Sequence, residues 1–354
     1  MTGLIREELS LPSDTTIVDG HLNALIDNEA IEAKLPDRFR SKGVNPPSEH
    51  WPTPITAVRS DIEGPEDPEV AIDSHLDPLG IDRAIVTVDP AIVRAGVQPD
   101  SRYASALLNA ATEWLAETWL AADDRFLGSI AISPMEPEAA AEAIHEWGDH
   151  PQMCQVLATS GTRGALGDER YWPIYEAAVE YDLPVSFLGG GAGHGISHPP
   201  TGAGYPSSAI EQLSVIPANG MGQLLNLILE GAFVEFPTLR VVFVGMGYSW
   251  LPSFIWRTDK AWKGLTDDYP WLREPPSSYV KRHIRLTTYP IAEAPDLDRS
   301  ERFLEMIDGE QTVMFGSNYP LNHGFTPDER LPAMSSDLSA GIYGETAAKL
   351  YQLA

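Results

Sequence analysis

The chain has 354 residues, a single cysteine, and 51 acidic residues against 24 Lys and Arg, for a net charge of −27. That balance repels nucleic acid and anionic membrane surfaces, and the lone Cys154 excludes an internal disulfide or a Cys-based metal cluster within one chain. No run of about 18 apolar residues is present, and the opening MTGLIREELSLPSDTT has no apolar signal core, so a cytoplasmic location is expected.

In chain order, eight short apolar runs stand out: TTIVDG (15–20), RAIVTVD (83–89), FLGSIAI (126–132), CQVLATS (154–160), PVSFLG (184–189), RVVFVG (240–245), IRLTTYP (284–290) and VMFGSN (313–318). They are continuous rather than alternating, the pattern of parallel strands buried on both faces. Segments 101–121, 137–148, 169–182, 222–236 and 251–265 carry apolar residues three and four apart, which predicts helices. Strands alternating with helices predict an α/β fold, a (β/α)8 TIM barrel, formed as one domain over 1–354. An open doubly wound sheet is less favoured, because no G-x-G-x-x-G follows a strand. Residues 31–69 are Pro-rich and weakly periodic, and are read as a long insertion after the first strand, over the mouth or at a subunit contact. Segments 189–208 and 267–280 read as long loops. Trp250, Trp256 and Trp262 lie six apart and so drift around their helix, with Trp256 or Trp262 the candidates for an exposed face.

Barrel enzymes place their chemistry at the C-terminal ends of strands. At the end of the first run, Asp19, His21 and Asn23 alternate and are expected to converge, a spacing that suits a metal site or a His ordered by a carboxylate. The fifth run ends in Leu188, with His194 and His198 further along a Gly-rich loop, where histidines are usually solvated. The eighth ends in Asn318, followed by His323. An amide coordinates transition metals weakly, so His323 is the stronger ligand candidate there. As a structural amide, Asn318 is expected to bond strand-end groups such as Asp19 or His21.

Several segments resemble the amidohydrolase-related (amidohydrolase 2) family of metal-dependent hydrolases and decarboxylases on a TIM barrel: IVDGHLN, RYWPIYEAAVEYDLPVSF, GAFVEFPTLRVVFVGMGYSWLPSFIWRTDKAWK, YVKRHIRLTTYPI and VMFGSNYP. The resemblance implies a metal site built from a His-x-His on the first strand, a His on the fifth, a His on the sixth and an Asp on the eighth. Those places fall here on His21 and Asn23, on Leu188, near Gly245, and on Asn318. A doubly charged cation needs ligand charge and several donors, so no dinuclear centre is expected. Either no metal binds, or one divalent ion (Zn, Fe or Mn), with His21, Asp19, His323 or His194 as candidate ligands.

Three functions follow from this. The first is a metal-poor subunit of a hetero-oligomer with a metal-bearing paralogue. The resemblance implies this through two-chain non-heme monooxygenases of the family that act on small amino-acid-like substrates, of the 2-aminoisobutyric acid monooxygenase hydroxylase type. The second is a hydrolase or decarboxylase with a relocated mononuclear site. The third is a metal-free protein that binds a small ligand in the barrel mouth. Self-association is the nearest alternative to a paralogous partner.

Overall fold

A computed structural model describes residues 6, 8, 9, 11–46, 64, 66–291, 297–321 and 334–353. Eight parallel strands form one sheet in sequence order: β1 Val18–Ala24, β2 Arg83–Val88, β3 Phe126–Ala131, β4 Met153–Thr159, β5 Val185–Leu188, β6 Val241–Val244, β7 Ile284–Thr287 and β8 Val313–Met314. The principal helices are α1 Asn28–Lys34, α2 Ser101–Leu115, α3 Pro137–Trp147, α4 Trp172–Glu180, α5 Ala209–Leu229, α6 Leu251–Gly264, α7 Pro276–His283, α8 Leu297–Glu305 and α9 Thr346–Tyr351. This is the expected (β/α)8 barrel. Strands such as RAIVTV and VVFV are buried along nearly their whole length, because the barrel interior takes one face and the helices cover the other.

The first strand runs further than its apolar pattern, to Ala24, so His21 and Asn23 lie within it rather than past its end. A register shift between Asp19 and Leu22 interrupts the β1–β2 ladder, and pairing resumes through Leu22↔Val86 to Ala24↔Val88. The eighth strand is shorter than expected. After Met314 the chain leaves the ladder, yet it still exchanges bonds with β1: Gly20 N donates to Phe315 O (2.8 Å), Asn318 N to His21 O (2.9 Å) and Asn23 N to Tyr319 O (2.7 Å). Asn318 sits at φ +60°, a left-handed conformation that Asn tolerates, and this turns the chain out of the strand.

Helix α5 starts at 209, thirteen residues before the periodic segment that predicts it, and so absorbs Pro217. The reason is local. Ser208 Oγ accepts from Glu211 N (3.2 Å), and the Glu211 carboxylate accepts from Ser207 N (2.7 Å), an arrangement close to a capping box that is legible as S-x-x-E. The predicted segment past 229 breaks at Gly231, which is left-handed (φ +83°). In the 31–69 insertion, residues 47–63 and 65 lie outside the described residues. The part before them packs on α2: the Phe39 ring meets Tyr103 edge-on at 5.8 Å, and Tyr103 Oη donates to Gly43 O (2.6 Å). Trp250 is buried and Trp262 half-buried, while Trp256 is 56% exposed.

The C-terminal segment docks against the start of β1. Phe315 N donates to Ile342 O (2.7 Å), and the Phe315 and Tyr343 rings stack at 4.9 Å. Tyr351 Oη on α9 reaches across to Gln155 Oε1 on β4 (2.9 Å), which also accepts from Ser186 Oγ on β5. Gly344 allows this docking, since a Cβ there would lie 2.1 Å from Thr16 O. Gly344→Ala should therefore lower stability by about 1–3 kcal/mol through overpacking. Urea unfolding midpoints measure this, and an unchanged midpoint would show that the contact is not made.

Candidate active site

His21 lies at the C-terminal end of the barrel, 1% exposed. A Cβ built on Gly245 would stand 3.7 Å from His21 Cε1 and 3.6 Å from Leu188 Cδ1, so the imidazole sits beside the ends of β5 and β6. Gly245 is left-handed (φ +70°), and its N–H donates to Thr287 Oγ1 (3.0 Å). A histidine there would be strained. The backbone at 245 thus suits the glycine and opposes the ligand that the family resemblance places nearby.

Asp19 is fully buried and does not join His21 as a second donor to a common point. Its Oδ1 accepts from His21 N (3.1 Å) and Ser317 N (3.0 Å). Its Oδ2 meets Ser317 Oγ (2.5 Å) and His75 Nε2 (2.8 Å). Both oxygens are therefore engaged. His75 stacks on Tyr319 at 4.5 Å, and Tyr319 Oη meets Ser74 Oγ (2.8 Å). Burial raises the Tyr319 phenol pKa, against a smaller lowering from the Ser74 bond. His75 is not part of the sequence-level site. Nothing local marks it, because it meets Asp19 only through the fold.

Asn23 and Asn318 bond each other. Asn23 Nδ2 donates to Asn318 Oδ1, Asn318 O and Tyr319 O, each at 3.1 Å, while Asn23 Oδ1 accepts from Thr87 Oγ1 (3.1 Å). Asn318 Nδ2 donates to Leu321 O (3.0 Å). The Asn318 side chain therefore meets Asn23 and Leu321, not Asp19 or His21; only its backbone N–H reaches His21 O. Both amides are used as structural links.

His194 is buried rather than solvated, 1% exposed, in a turn where its N–H donates to Gly191 O (3.0 Å) and Ser197 Oγ donates to His194 O (2.7 Å). His198 is exposed. His323 lies outside the described residues. A further carboxylate, Asp89, follows β2 and caps the next helix through Ala91 N (2.7 Å). Burial raises its pKa, opposed by the Ala91 bond and by Arg94. The dipeptide Asp89-Pro90 at the end of an apolar run was the available signal for it. Among the described residues, no three or more His, Cys, Asp or Glu side chains are grouped to hold a metal ion. With Leu188 and Gly245 unable to donate a side chain, and Asn23 and Asn318 bonded to each other, these residues do not fit the ligand set that the family resemblance implies.

A family model described as Amidohydrolase matches residues 46–353. Among curated proteins, the chain is 25% identical over 272 residues to the gamma-resorcylate decarboxylase of Rhodococcus jostii (strain RHA1), covering 70% of this chain and 77% of that one. Among solved structures, it is similar to the 5-carboxyvanillate decarboxylase of Novosphingobium aromaticivorans DSM 12444, complexed with manganese and 4-hydroxy-3-methoxy-5-nitrobenzoic acid (TM-score 0.71, 21% identity, 98% of this chain and 99% of that one). It is also similar to a 2,6-dihydroxybenzoate decarboxylase complexed with 2,6-dihydroxybenzoate (TM-score 0.66, 18% identity, 96% of this chain and 100% of that one).

Two measurements test this geometry. Asn318→Asp removes the donor to Leu321 O and buries a carboxylate, so stability should fall by about 1–3 kcal/mol. Burial raises that carboxyl's pKa above its unfolded value, so the loss should be larger at pH 8 than at pH 4. Thermal melts with and without Mn²⁺ read it, and strong metal-dependent stabilisation would show a ligand site instead. For Asp89, ionisation costs stability as the pH rises past the unfolded value near about 4. Asn also caps helices, so the stability of Asp89→Asn relative to the parent should rise between pH 4 and pH 7. A pH-independent difference in urea midpoints would refute the raised pKa.

Proposed function

Because the chain belongs to the amidohydrolase family, we propose that it is a barrel of the decarboxylase type, acting on a small hydroxylated aromatic carboxylate at its mouth. The observation that carries this reading is the buried His21 imidazole at the ends of β5 and β6, in a chain similar to decarboxylases of such substrates. Decarboxylation breaks the bond from ring carbon to carboxylate. Carbon dioxide leaves, the bonding pair stays on the ring, and a proton must reach that carbon. An imidazole holds and releases a proton near neutral pH, and His21 is the residue proposed for that role. A divalent ion supplies electrostatic stabilisation in metal-dependent members of the family. The described residues do not fit the family's ligand set, so no step is assigned to an ion. The proposal allows at most one ion per chain, zinc, iron or manganese; an ion held by His21 would take the place of its proton-transfer role.

A second reading has its own observations. Asn23 and Asn318 are bonded to each other, and α6 with the segment after it exposes Trp256 (56%), Leu265 (52%) and Trp271 (41%). Both features suit a metal-poor subunit that pairs with a metal-bearing paralogue, as in the two-chain monooxygenases, or with a second copy of itself.

Turnover of 2,6-dihydroxybenzoate by the purified chain, followed as carbon dioxide release with and without added Mn²⁺, tests the first reading. The rate should fall at least 100-fold in His21→Ala, and metal analysis should find no more than one ion per chain. Full turnover in His21→Ala, or two tightly bound ions, would overturn it. Absence of turnover alone, with turnover or hydroxylation restored by co-expressing a paralogue, would favour the paired reading. A monomer by light scattering, with turnover of its own, would remove that reading.

A further inference from the structure

The buried Asp19–His75 pair has no part in the proton transfer assigned to His21. Asp19 is fully buried and His75 is 7% exposed. A buried carboxylate is costly unless donors satisfy it. Three of the donors to Asp19 come from the two stretches of chain that it joins: His21 N, Ser317 N and Ser317 Oγ. The fourth, His75 Nε2 at 2.8 Å, comes from elsewhere, the helical segment 68–79 before β2. The His75 ring is held in turn. Tyr319 stacks on it at 4.5 Å, and Ser74 Oγ accepts from Tyr319 Oη (2.8 Å) while donating to Val70 O (2.6 Å).

What Asp19 holds is the irregular part of β1. The register passes from Asp19↔Ala84 to Leu22↔Val86, so two residues, Gly20 and His21, stand opposite one, Ile85. A bulge of this kind disrupts the ladder locally and re-aims a side chain. The amide of the bulged His21 donates to Asp19 Oδ1 (3.1 Å), and its carbonyl accepts from Asn318 N (2.9 Å). Oδ1 can keep that bond only while the carboxylate keeps its plane. Ser317 Oγ and His75 Nε2, both on Oδ2, fix the plane, and of these only His75 is anchored outside the join of β1 with the chain after β8.

We infer that His75 is a positioning residue for the proposed reaction: through Asp19 it fixes the bulge that aims the His21 imidazole. The inference rests on the decarboxylase reading above. Proton transfer to a ring carbon needs the imidazole within hydrogen-bond reach of that carbon, and a misplacement of about 1 Å can cost on the order of 100-fold in rate. Without the His75 donor, Oδ2 keeps Ser317 Oγ alone. The carboxylate can then turn, and the His21 amide loses its fixed acceptor.

Carbon dioxide release from 2,6-dihydroxybenzoate is followed in the full-length parent and in His75 variants. His75→Leu should lower kcat by about tenfold or more, with KM changed by less than about twofold. His75→Gln, whose amide nitrogen stands where imidazole Nε2 stands, should restore kcat to within about threefold of the parent. His75→Asn, polar but too short to reach Asp19, should behave as His75→Leu does and replaces it if that variant does not fold. The nitrogen–proton correlations of the His21 imidazole, identified by their absence in His21→Ala, read the positioning without turnover. They should move in His75→Leu and return in His75→Gln. An unchanged kcat with a lowered melting temperature would mark His75 as merely structural and overturn the inference. A loss carried by KM alone, no recovery in His75→Gln, or His21 signals that stay in place would overturn it as well. If the parent shows no decarboxylation, the spectra decide alone: signals that move and are rescued uphold the link from His75 to His21 while the decarboxylase reading falls, and signals that do not move overturn the link.

Discussion

The join between β1 and the chain after β8 is the constraint on which the site depends. A barrel must close, and β8 offers a ladder of only two residues. Three backbone bonds continue the pairing as far as Tyr319. Side chains complete it: Asp19 to Ser317, and Asn23 to Asn318. The Asn pair is buried and the Asp19–Ser317 bond part-buried; the net contribution of such a bond is about 0.5–1.5 kcal/mol, with a larger cost if one partner is removed. The Asn23–Asn318 part of this closure falls at positions where the family resemblance places a first-strand and an eighth-strand donor.

That use of the donors has chemical consequences. A carboxylate that accepts four hydrogen bonds, as Asp19 does, has little left to offer a cation. An amide pair supplies neither charge nor a strong lone pair. Leu188 and the left-handed Gly245 then offer no side-chain donor at the ends of β5 and β6 beside His21. What remains at the centre is the buried His21 imidazole, the group to which the proposed proton transfer is assigned. The charged group nearest in character, Asp89, caps a helix at the end of β2, where burial favours its protonated form.

The fold and the site therefore diverge. Barrel architecture tolerates changes at strand ends, because the core that specifies it lies below, in the layers of Val, Ile, Leu and Phe between strands and helices. The same tolerance leaves room at the rim. Helix α5 fastens the β4 loop with one pair of amides, Gln223 and Asn226.

The strands, their parallel order and the barrel were legible in the amino-acid sequence, because a strand buried on both faces must be apolar throughout and helices must recur at 3.6-residue spacing. The absence of strong donors at Leu188, Gly245, Asn23 and Asn318 was legible too, since residue type alone decides whether a side chain can bind an ion. The start of α5 was written in Ser208 and Glu211, although Pro217 masks it to a reading by periodicity. Only the tertiary structure decided the partners. His75 meets Asp19 across 56 positions, and Asn318 turns to Asn23 across 295. Local pattern carries no record of such pairs, because they arise from how the register shift in β1 and the left-handed turn at Asn318 aim side chains once the barrel has closed.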